Sequence, residues 1–418
     1  MTFTLRIDGT RWRAHQERTR DDVRAALAGP ATPGDLVPVT KGNGYGVGNL
    51  VLAREAQRLG LTRLAVGTVF EVADVAAAYE GDILVLTPFE PADPVAAAVW
   101  VEVAHAPYAD RVIRTISARP AWDVVAAGPG PVRLVLEALT SIGRFGLEPA
   151  TLRAILGSDL AADAVTERRI RLEGLALHEP LAQPHVDRRY VAGSRWHDAD
   201  VAPLAPHGAS PRVDEVLSAG LAWQHLVADL SERVGARGDD EALTGLTAAA
   251  ALWVSHLDDD ELRTVRAGLP DIALLPRIGT RLWLGDRGAL HARGTVLAVH
   301  DVSKGQASGY RQRRAGRAGA VVVVGGGTAH GVALEAPSSV STTRQRVVAA
   351  GSGVLEGVGR ALSPFVIGGA QRWFAETPHM HVSLVRVPQG VALPAVGDEV
   401  DVDVRLTTIH PDRVLGLD

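Results

Sequence analysis

The sequence predicts an α/β chain in two parts. A TIM-like (β/α)8 barrel is expected over residues 10–285, and an antiparallel β domain over residues 286–418, which also takes the opening strand at 1–9. Three observations carry this expectation. Short apolar runs alternate with helical patterns up to residue 285, which predicts a parallel sheet with crossovers of one hand, and about eight such units fit, the size of a barrel. After Gly285 the helical patterns give way to β-rich runs divided by Gly and Pro, the texture of hairpins. The length of 418 residues exceeds one ordinary domain, and 46% hydrophobic residues are enough for a sizeable core.

Taken in order, Phe3-Thr4-Leu5-Arg6-Ile7 alternates as a short strand, and Asp8-Gly9-Thr10 precedes a polar helix, Arg11–Leu27. Leu36-Val37-Pro38-Val39 is a strand, and Leu50–Leu59 is its helix. Leu64–Thr68 reads as a strand, Glu71–Tyr79 as a helix and Ile83–Leu86 as a strand. Trp100–Val103 and Val132–Leu136 read as further strands, Pro149–Leu156 as a helix, and Gly174–Leu177 as a strand. The long helix Pro211–Arg237 is marked by Ser210 as N-cap and Pro211 at its first position. The apolar run Ala248–Val254, the helix Asp258–Ala267 and the strand Ile272–Leu275 complete the barrel pattern. Strands of the second domain are expected at Val296–Val299, Ala320–Val324, His381–Val387 and Val400–Val404, with a long excursion at Ser338–Gly369. Arg311, Arg313, Arg314 and Arg317 read as a solvated loop.

Composition narrows the functional classes. A net charge of −5 gives no reason to expect nucleic acid or an anionic membrane as partner. The chain has no cysteine, which excludes disulfides, thiolate metal sites and a cysteine nucleophile, and fits a reducing cytosol. The opening Met1–Asp8 is too short and too charged for a signal peptide, and no apolar run approaches a membrane span. A cytoplasmic protein is expected.

One stretch carries chemistry. Lys41 directly follows a strand and is followed by glycine at 42, 44, 46 and 48. In a (β/α)8 barrel the chemistry sits where strands end and βα loops begin. A lysine held there is partly desolvated, which lowers its pKa and frees the amine for a Schiff base.

The segment Lys41-Gly42-Asn43-Gly44-Tyr45-Gly46-Val47-Gly48 resembles the lysine segment of the alanine racemases, the fold-type III pyridoxal-phosphate enzymes, in which Lys-Ala-Asn-Ala-Tyr-Gly-His-Gly is usual. Lys41, Asn43, Tyr45, Gly46 and Gly48 keep the pattern; Gly42, Gly44 and Val47 do not. The resemblance implies pyridoxal 5'-phosphate as cofactor, Lys41 as its carrier and one of two bases, and Tyr45 as a phosphate contact. Leu139-Thr140-Ser141-Ile142-Gly143-Arg144-Phe145-Gly146 is similar to the family's Asp-Thr-Gly-Met-Gly-Arg-Leu-Gly, which makes Arg144 the match for the arginine at the catalytic tyrosine and the substrate carboxylate. Seven positions upstream, where many members carry a carbamylated lysine, stands Glu137, which would supply the same negative charge directly.

Glu173-Gly174-Leu175-Ala176-Leu177-His178 resembles the family's Glu-Gly-Leu-x-x-His, and implies that His178 lies against the cofactor ring. Ser255 stands in the place of the family's phosphate serine. Arg277-Ile278-Gly279-Thr280 looks like Arg-Pro-Gly-Ile, which puts Arg277 at the pyridine nitrogen and gives Gly279 and Thr280 to the phosphate. Ala307-Ser308-Gly309-Tyr310 resembles the segment of the second base, so Tyr310 would enter the site of the other subunit, in a head-to-tail homodimer.

The pattern breaks elsewhere. The family's Gly-Tyr-Ala-Asp-Gly becomes Gly325-Gly326-Gly327-Thr328-Ala329-His330-Gly331, and its Met-Asp pair at the substrate carboxylate becomes Met380-His381. Where a last tyrosine is expected stands Thr408-Ile409-His410. The cofactor half is thus kept better than the substrate half. The expected function is an amino-acid racemase working on alanine or a related amino acid through Lys41 and Tyr310. Two alternatives stay open: the same cofactor with another reaction, such as decarboxylation or action on a larger amino compound, and a non-catalytic paralogue that binds cofactor or ligand.

Overall fold

A computed structural model describes residues 2–29, 34–181, 196, 210–334 and 361–417. The chain divides into two compact units. One comprises Gln16–Gly42 and Asn49–Leu282; the other comprises Met1–His15, Asn43–Gly48 and Trp283–Asp418.

The chain begins with β1 (Phe3–Ile7) and α1 (Gly9–Leu27). The larger unit then alternates strand and helix: β2 (Val37–Thr40), α2 (Asn49–Arg58), β3 (Arg63–Val66), α3 (Val72–Ala76), β4 (Asp82–Val85), α4 (Pro94–Ala104), β5 (Val112–Ile116), α5 (Arg119–Ala127) and β6 (Val132–Glu137). It continues with α6 (Pro149–Leu156), α7 (Asp159–Thr166), β7 (Ile170–Ala176), α8 (Pro211–Gly235), α9 (Asp240–Leu246), β8 (Ala251–Trp253), α10 (Asp259–Gly268), β9 (Ala273–Leu274), β10 (Arg277–Ile278) and α11 (Thr280–Leu284). Strands β2 to β8 lie side by side in chain order; β9 adds to β8, and β10 adds to β2, all parallel. Only Leu275 and Pro276 separate β9 from β10, so the two are pieces of one strand and the sheet closes. Arg277 N donates to Val254 O at 2.8 Å and Val37 N to Pro276 O at 2.9 Å across that seam. This is the expected (β/α)8 barrel. Its interior is filled by Val37, Val39, Ala65, Ile113, Val135 and Trp253, all nearly or fully buried.

One sequence expectation fails here. Trp100–Val103 is not a strand but the end of α4. The start of that helix is signalled by Asp93, whose carboxylate accepts from Val95 N and Ala96 N, and by Pro94 at the first position. Trp100 and Val103 are buried while Val101 is 60% exposed, a helical period rather than an alternating one. The strand of this unit is β5, and its Ile113 and Ile116 are fully buried.

The smaller unit contains β11 (Leu290–Val302), β12 (Ala307–Ser308), β13 (Arg313–Arg314), β14 (Gly319–Gly325), β15 (Leu362–Ile367), β16 (Ala370–Phe374), β17 (Val382–Pro388), β18 (Glu399–Val402) and β19 (Arg413–Leu415). Its main sheet runs β14-β17-β16-β15-β18-β11-β1-β19, and β14 also pairs with β11, which curls the first six strands into a closed circuit. All pairings are antiparallel except β1 with β19. Phe3, Val296, Val322, Phe365, Val385 and Ile409 form its core. β12 and β13 make a separate small hairpin, so Arg313 and Arg314 belong to a strand rather than to a loop. The excursion expected at Ser338–Gly369 ends in β15; its residues 338–360 lie outside the described ones.

Candidate active site

The charged residues expected at the site gather in the barrel unit, at the C-terminal ends of its strands. Lys41 follows β2, Glu137 ends β6, Arg144 lies in the loop after β6, His178 follows β7, Ser255 and His256 follow β8, and Arg277 opens β10. This is the face on which barrels place their chemistry.

Lys41 is set by its neighbours. Glu71 accepts from Gly42 N at 2.6 Å and from Thr68 N at 2.9 Å. Thr40 Oγ1 donates to Asn49 Oδ1 at 2.6 Å, and Asn49 Nδ2 donates to Gly42 O at 3.1 Å. Gly67 is required beside it, because a Cβ there would come within 2.9 Å of the Lys41 Cβ. The Lys41 side chain is open to solvent by area, yet enough protein surrounds its amine to displace part of its hydration. That desolvation is the main cause of a lowered pKa; the charges of Arg144 and then Arg277 add to it, and Glu71 opposes them.

Arg277 is buried, and burial pushes its pKa down to about 10 against the pull of Glu137 and Glu179. One of its terminal nitrogens donates to Leu177 O at 2.8 Å, while among the described residues its Nε has no partner. Glu137 is 2% exposed, and among the described residues one of its carboxylate oxygens has no partner. Burial raises its pKa, and of the two cations that counter this, Arg277 acts more strongly than Arg144. Among the described residues Glu137 and Arg144 form no ion pair; the exposed Arg144 guanidinium instead lies 5.0 Å from the ring of Phe145.

His178 is held from both sides. Its Nδ1 is 2.9 Å from Ser255 Oγ, and its carbonyl accepts from Thr140 Oγ1 at 2.5 Å. Burial first, then Arg277, Arg144, His256 and Lys41, push its pKa down to about 3, so the ring is neutral. His256 adopts φ +60°, a left-handed backbone rare for such a residue, and its ring lies 4.9 Å from that of His178. Its Nδ1 is 2.5 Å from Glu179 O, and burial lowers its pKa too. Ser255 is 4% exposed, and its hydroxyl is engaged by His178 and by Glu179 N at 3.2 Å. Gly279 precedes α11, and the exposed Thr280 begins it.

The remaining expected residues lie in the smaller unit. Tyr45 is buried at φ +56°, and burial pushes its phenol up to about 12. Beside it, Asn43 Nδ2 donates to Ile409 O at 2.6 Å, and a Cβ on Gly46 would meet Leu406 O at 2.7 Å. Tyr310 is 85% exposed, and its ring stacks on His379 at 4.3 Å. Met380 is 66% exposed.

Sequence reading gave no role to Glu71, His256, Glu179 or Glu215. Glu71 had a signal: Thr68-x-x-Glu71 has the spacing of a capping box, and its Glu71 half forms, Thr68 N donating to the Glu71 carboxylate at 2.9 Å. Glu215 and Glu179 had none, because their burial is tertiary and no local spacing signals it.

Residues 20–202 match the family model described as alanine racemase, N-terminal domain. No curated protein sequence matches the chain. Among solved structures, the biosynthetic alanine racemase of Pseudomonas aeruginosa is 16% identical, with 99% of each chain covered and a TM-score of 0.56. The alanine racemase of Bartonella henselae, solved with covalently bound pyridoxal phosphate, is 14% identical over 99% of this chain and 100% of its own, with a TM-score of 0.59. That of the D-cycloserine producer Streptomyces lavendulae is 19% identical over 96% of this chain and 87% of its own, with a TM-score of 0.56. Residues 20–202 are thus similar to the N-terminal domain of the alanine racemases, and the chain as a whole has the fold of the solved alanine racemases.

Proposed function

We propose that the chain binds pyridoxal 5'-phosphate through Lys41 and racemises a small amino acid, alanine or a relative of it. The observation that carries this reading is Lys41 itself: an amine of lowered pKa, at a strand's C-terminal end, acted on by both Arg144 and Arg277. The residues fit the cofactor. Two guanidinium cations, Arg144 and Arg277, both acting on Lys41, suit a doubly charged phosphate and a substrate carboxylate. The orphaned Nε of the buried Arg277 is a donor in want of an acceptor, such as a pyridine nitrogen. Tyr45, Gly279, Thr280 and Ser255 are assigned to the phosphate on their motifs; Ser255 would serve only by sharing its hydroxyl with His178.

Bound there, pyridoxal phosphate supplies the electron sink that makes the Cα proton of an amino acid labile. The chain does the rest. Lys41, as free amine, takes and returns that proton on one face. Tyr310, supplied by a second copy of the chain in a head-to-tail dimer, serves the opposite face. Arg144 holds the substrate carboxylate, with Met380 lining the same end. Arg277 keeps its charge and gives up no proton at the pyridine nitrogen. Glu137 balances Arg277 first and Arg144 second. A cytoplasmic setting goes with this reading; among the described residues no helix is long and apolar enough to cross a membrane.

A second reading keeps cofactor and Lys41 but changes the outcome to decarboxylation or to a larger amino substrate. It is favoured by the exposed Met380-His381 where the family has Met-Asp. One experiment separates these. The purified chain is incubated with pyridoxal phosphate, reduced with borohydride and mapped. The sequence holds only two lysines, Lys41 and Lys304, so an adduct is assigned without ambiguity. Cα deuterium exchange is then followed on L- and D-amino acids. Exchange with inversion supports racemisation, and loss of CO2 without inversion supports the second reading. A chain with no adduct at Lys41 overturns both.

A further inference from the structure

Behind the cation cluster lie two carboxyls that the proposed reaction does not use. Glu179 follows His178 and is 0% exposed; Glu215 sits in the first turns of α8 and is 1% exposed. Among the described residues neither Glu179 oxygen receives a hydrogen bond, Glu215 Oε2 has no partner either, and the two carboxyls are near enough to act on one another. Two carboxyls so placed can bond only when one of them keeps its proton. An isolated pair of buried anions is too costly, and the group neutralises instead.

The pair also joins two walls of the candidate site. Glu215 Oε1 accepts from Ser141 N at 2.9 Å, in the loop that carries Arg144 three residues later. Glu179 reaches the other wall through its backbone: its N–H donates to Ser255 Oγ at 3.2 Å, and its carbonyl lies 2.5 Å from His256 Nδ1. We propose that Glu179 and Glu215 are positioning residues that share one hydrogen and so clamp the Arg144 loop and the His178–His256 face to helix α8.

The surrounding charges set the sign of the effect. Burial, then the Glu215 charge, raise the Glu179 pKa well above the usual carboxylate range, while Arg212 and Arg277 pull it back. Arg212 is itself committed to Glu261, at 2.8 and 2.9 Å, so it neutralises the pair only in part. His256 faces Glu179 through its ring nitrogen. A raised carboxyl holds its proton up to its folded pKa. The clamp is therefore closed below that pKa and opens as pH rises through it, when two anions face each other.

Hydrogen exchange of residues 139–146 in the full-length chain tests this without any cofactor or activity. After correction for intrinsic exchange, Ser141 N should be protected in the unaltered chain and lose protection as pH rises. In Glu179→Gln the amide bonds Glu215 without a titrating proton, so protection should persist and the pH course should flatten. Glu215→Leu removes the acceptor, and exchange should quicken at least about tenfold, as expected for one hydrogen bond to a charged acceptor. Should Glu215→Leu fail to fold, Glu215→Gln keeps an acceptor for Ser141 and should also give a flat, protected course. Glu179→Gln following the pH course of the unaltered chain would overturn the proposal. So would equal protection of Ser141 in Glu215→Leu.

Discussion

His178 Nδ1 and Ser255 Oγ lie 2.9 Å apart, and their surroundings fix which of them gives the hydrogen. The Ser255 hydroxyl accepts from Glu179 N, and among the described residues its only other partner is His178, so its one hydrogen is assigned to His178 Nδ1. His178 Nδ1 is then an acceptor, and its proton sits on Nε2. His256 is the opposite case. Its Nδ1 faces the carbonyl oxygen of Glu179, which can only accept, so that nitrogen carries the hydrogen. Two adjacent rings thus hold opposite tautomers, each imposed by the same short segment.

Nitrogen chemical shifts of 15N-histidine protein check this directly. His178 is expected to show the Nε2–H form and His256 the Nδ1–H form. His178 should stay neutral at neutral pH and well below it, because its pKa is pushed down to about 3. Ser255→Ala should free the His178 tautomer and leave that of His256 in place. A protonated His178 at neutral pH would contradict the lowering of its pKa by burial, Arg277 and Arg144.

The Lys41 amine gives a second prediction. Its pKa is lowered by desolvation and then by Arg144, so the free amine appears at lower pH than for an ordinary lysine. Arg144→Met removes the larger of the two neighbouring charges. The pH course of borohydride-trapped adduct at Lys41 should shift upward, while the plateau at high pH should remain. A course unchanged in Arg144→Met would mean that desolvation alone tunes the amine.

The sequence made the barrel legible through the run of apolar segments, and the cation set through local motifs at Lys41, Arg144 and Arg277. Those motifs are contiguous, so their residues could be matched one by one. What could not be read was tertiary. Glu179 follows a strand and Glu215 lies on a helix 36 positions later, and only folding puts both out of reach of water. The α4 error has a different source: a run such as Trp100–Val103 is apolar in any periodicity, and the deciding signal, Asp93-Pro94, lies at the far end of the helix. Glu137 was expected to orient Arg144, yet Arg277 dominates its surroundings, a relation between β6 and β10 that no local spacing encodes.

Gly146 fixes the turn that returns the Arg144 loop to the barrel. It adopts φ +132°, and a Cβ there would meet the backbone at Leu139 N and Ala138 C, at 2.2 and 2.3 Å. Backbone cannot step aside as a flexible side chain can. Gly146→Ala is expected to cost more than about 1 kcal/mol in unfolding free energy. The Leu139 N to Leu147 O bond of 3.0 Å should break with it. Denaturant unfolding measures the first effect, and amide exchange at Leu139 measures the second.

The final prediction concerns how Tyr310 is presented. Glu376 is 4% exposed and accepts from Tyr310 N at 3.1 Å, Arg311 N at 3.3 Å and His379 Nε2 at 2.7 Å. Burial alone would raise the Glu376 pKa; the donors outweigh it, led by His379, and the net shift is downward. A lowered carboxyl stabilises the turn above the ordinary carboxylate range, and this support is lost as pH falls through the folded value. Glycine at 309 is part of the same arrangement, since a Cβ there would come within 2.2 to 2.4 Å of the Glu376 carboxylate. Glu376→Ala removes an acceptor of three hydrogen bonds, and each bond to a charged group is worth roughly 1.5–3 kcal/mol. The Tyr310–His379 stack should therefore loosen. On the racemase reading, inversion should fall by about tenfold or more, while the Lys41 adduct and one-faced deuterium exchange persist. Tyr310→Phe should abolish inversion and keep both. If Tyr310→Phe left inversion intact, the second base would have to be sought elsewhere in the chain, whereas a loss in Tyr310→Phe without one in Glu376→Ala would show that the phenol acts without the support of its turn.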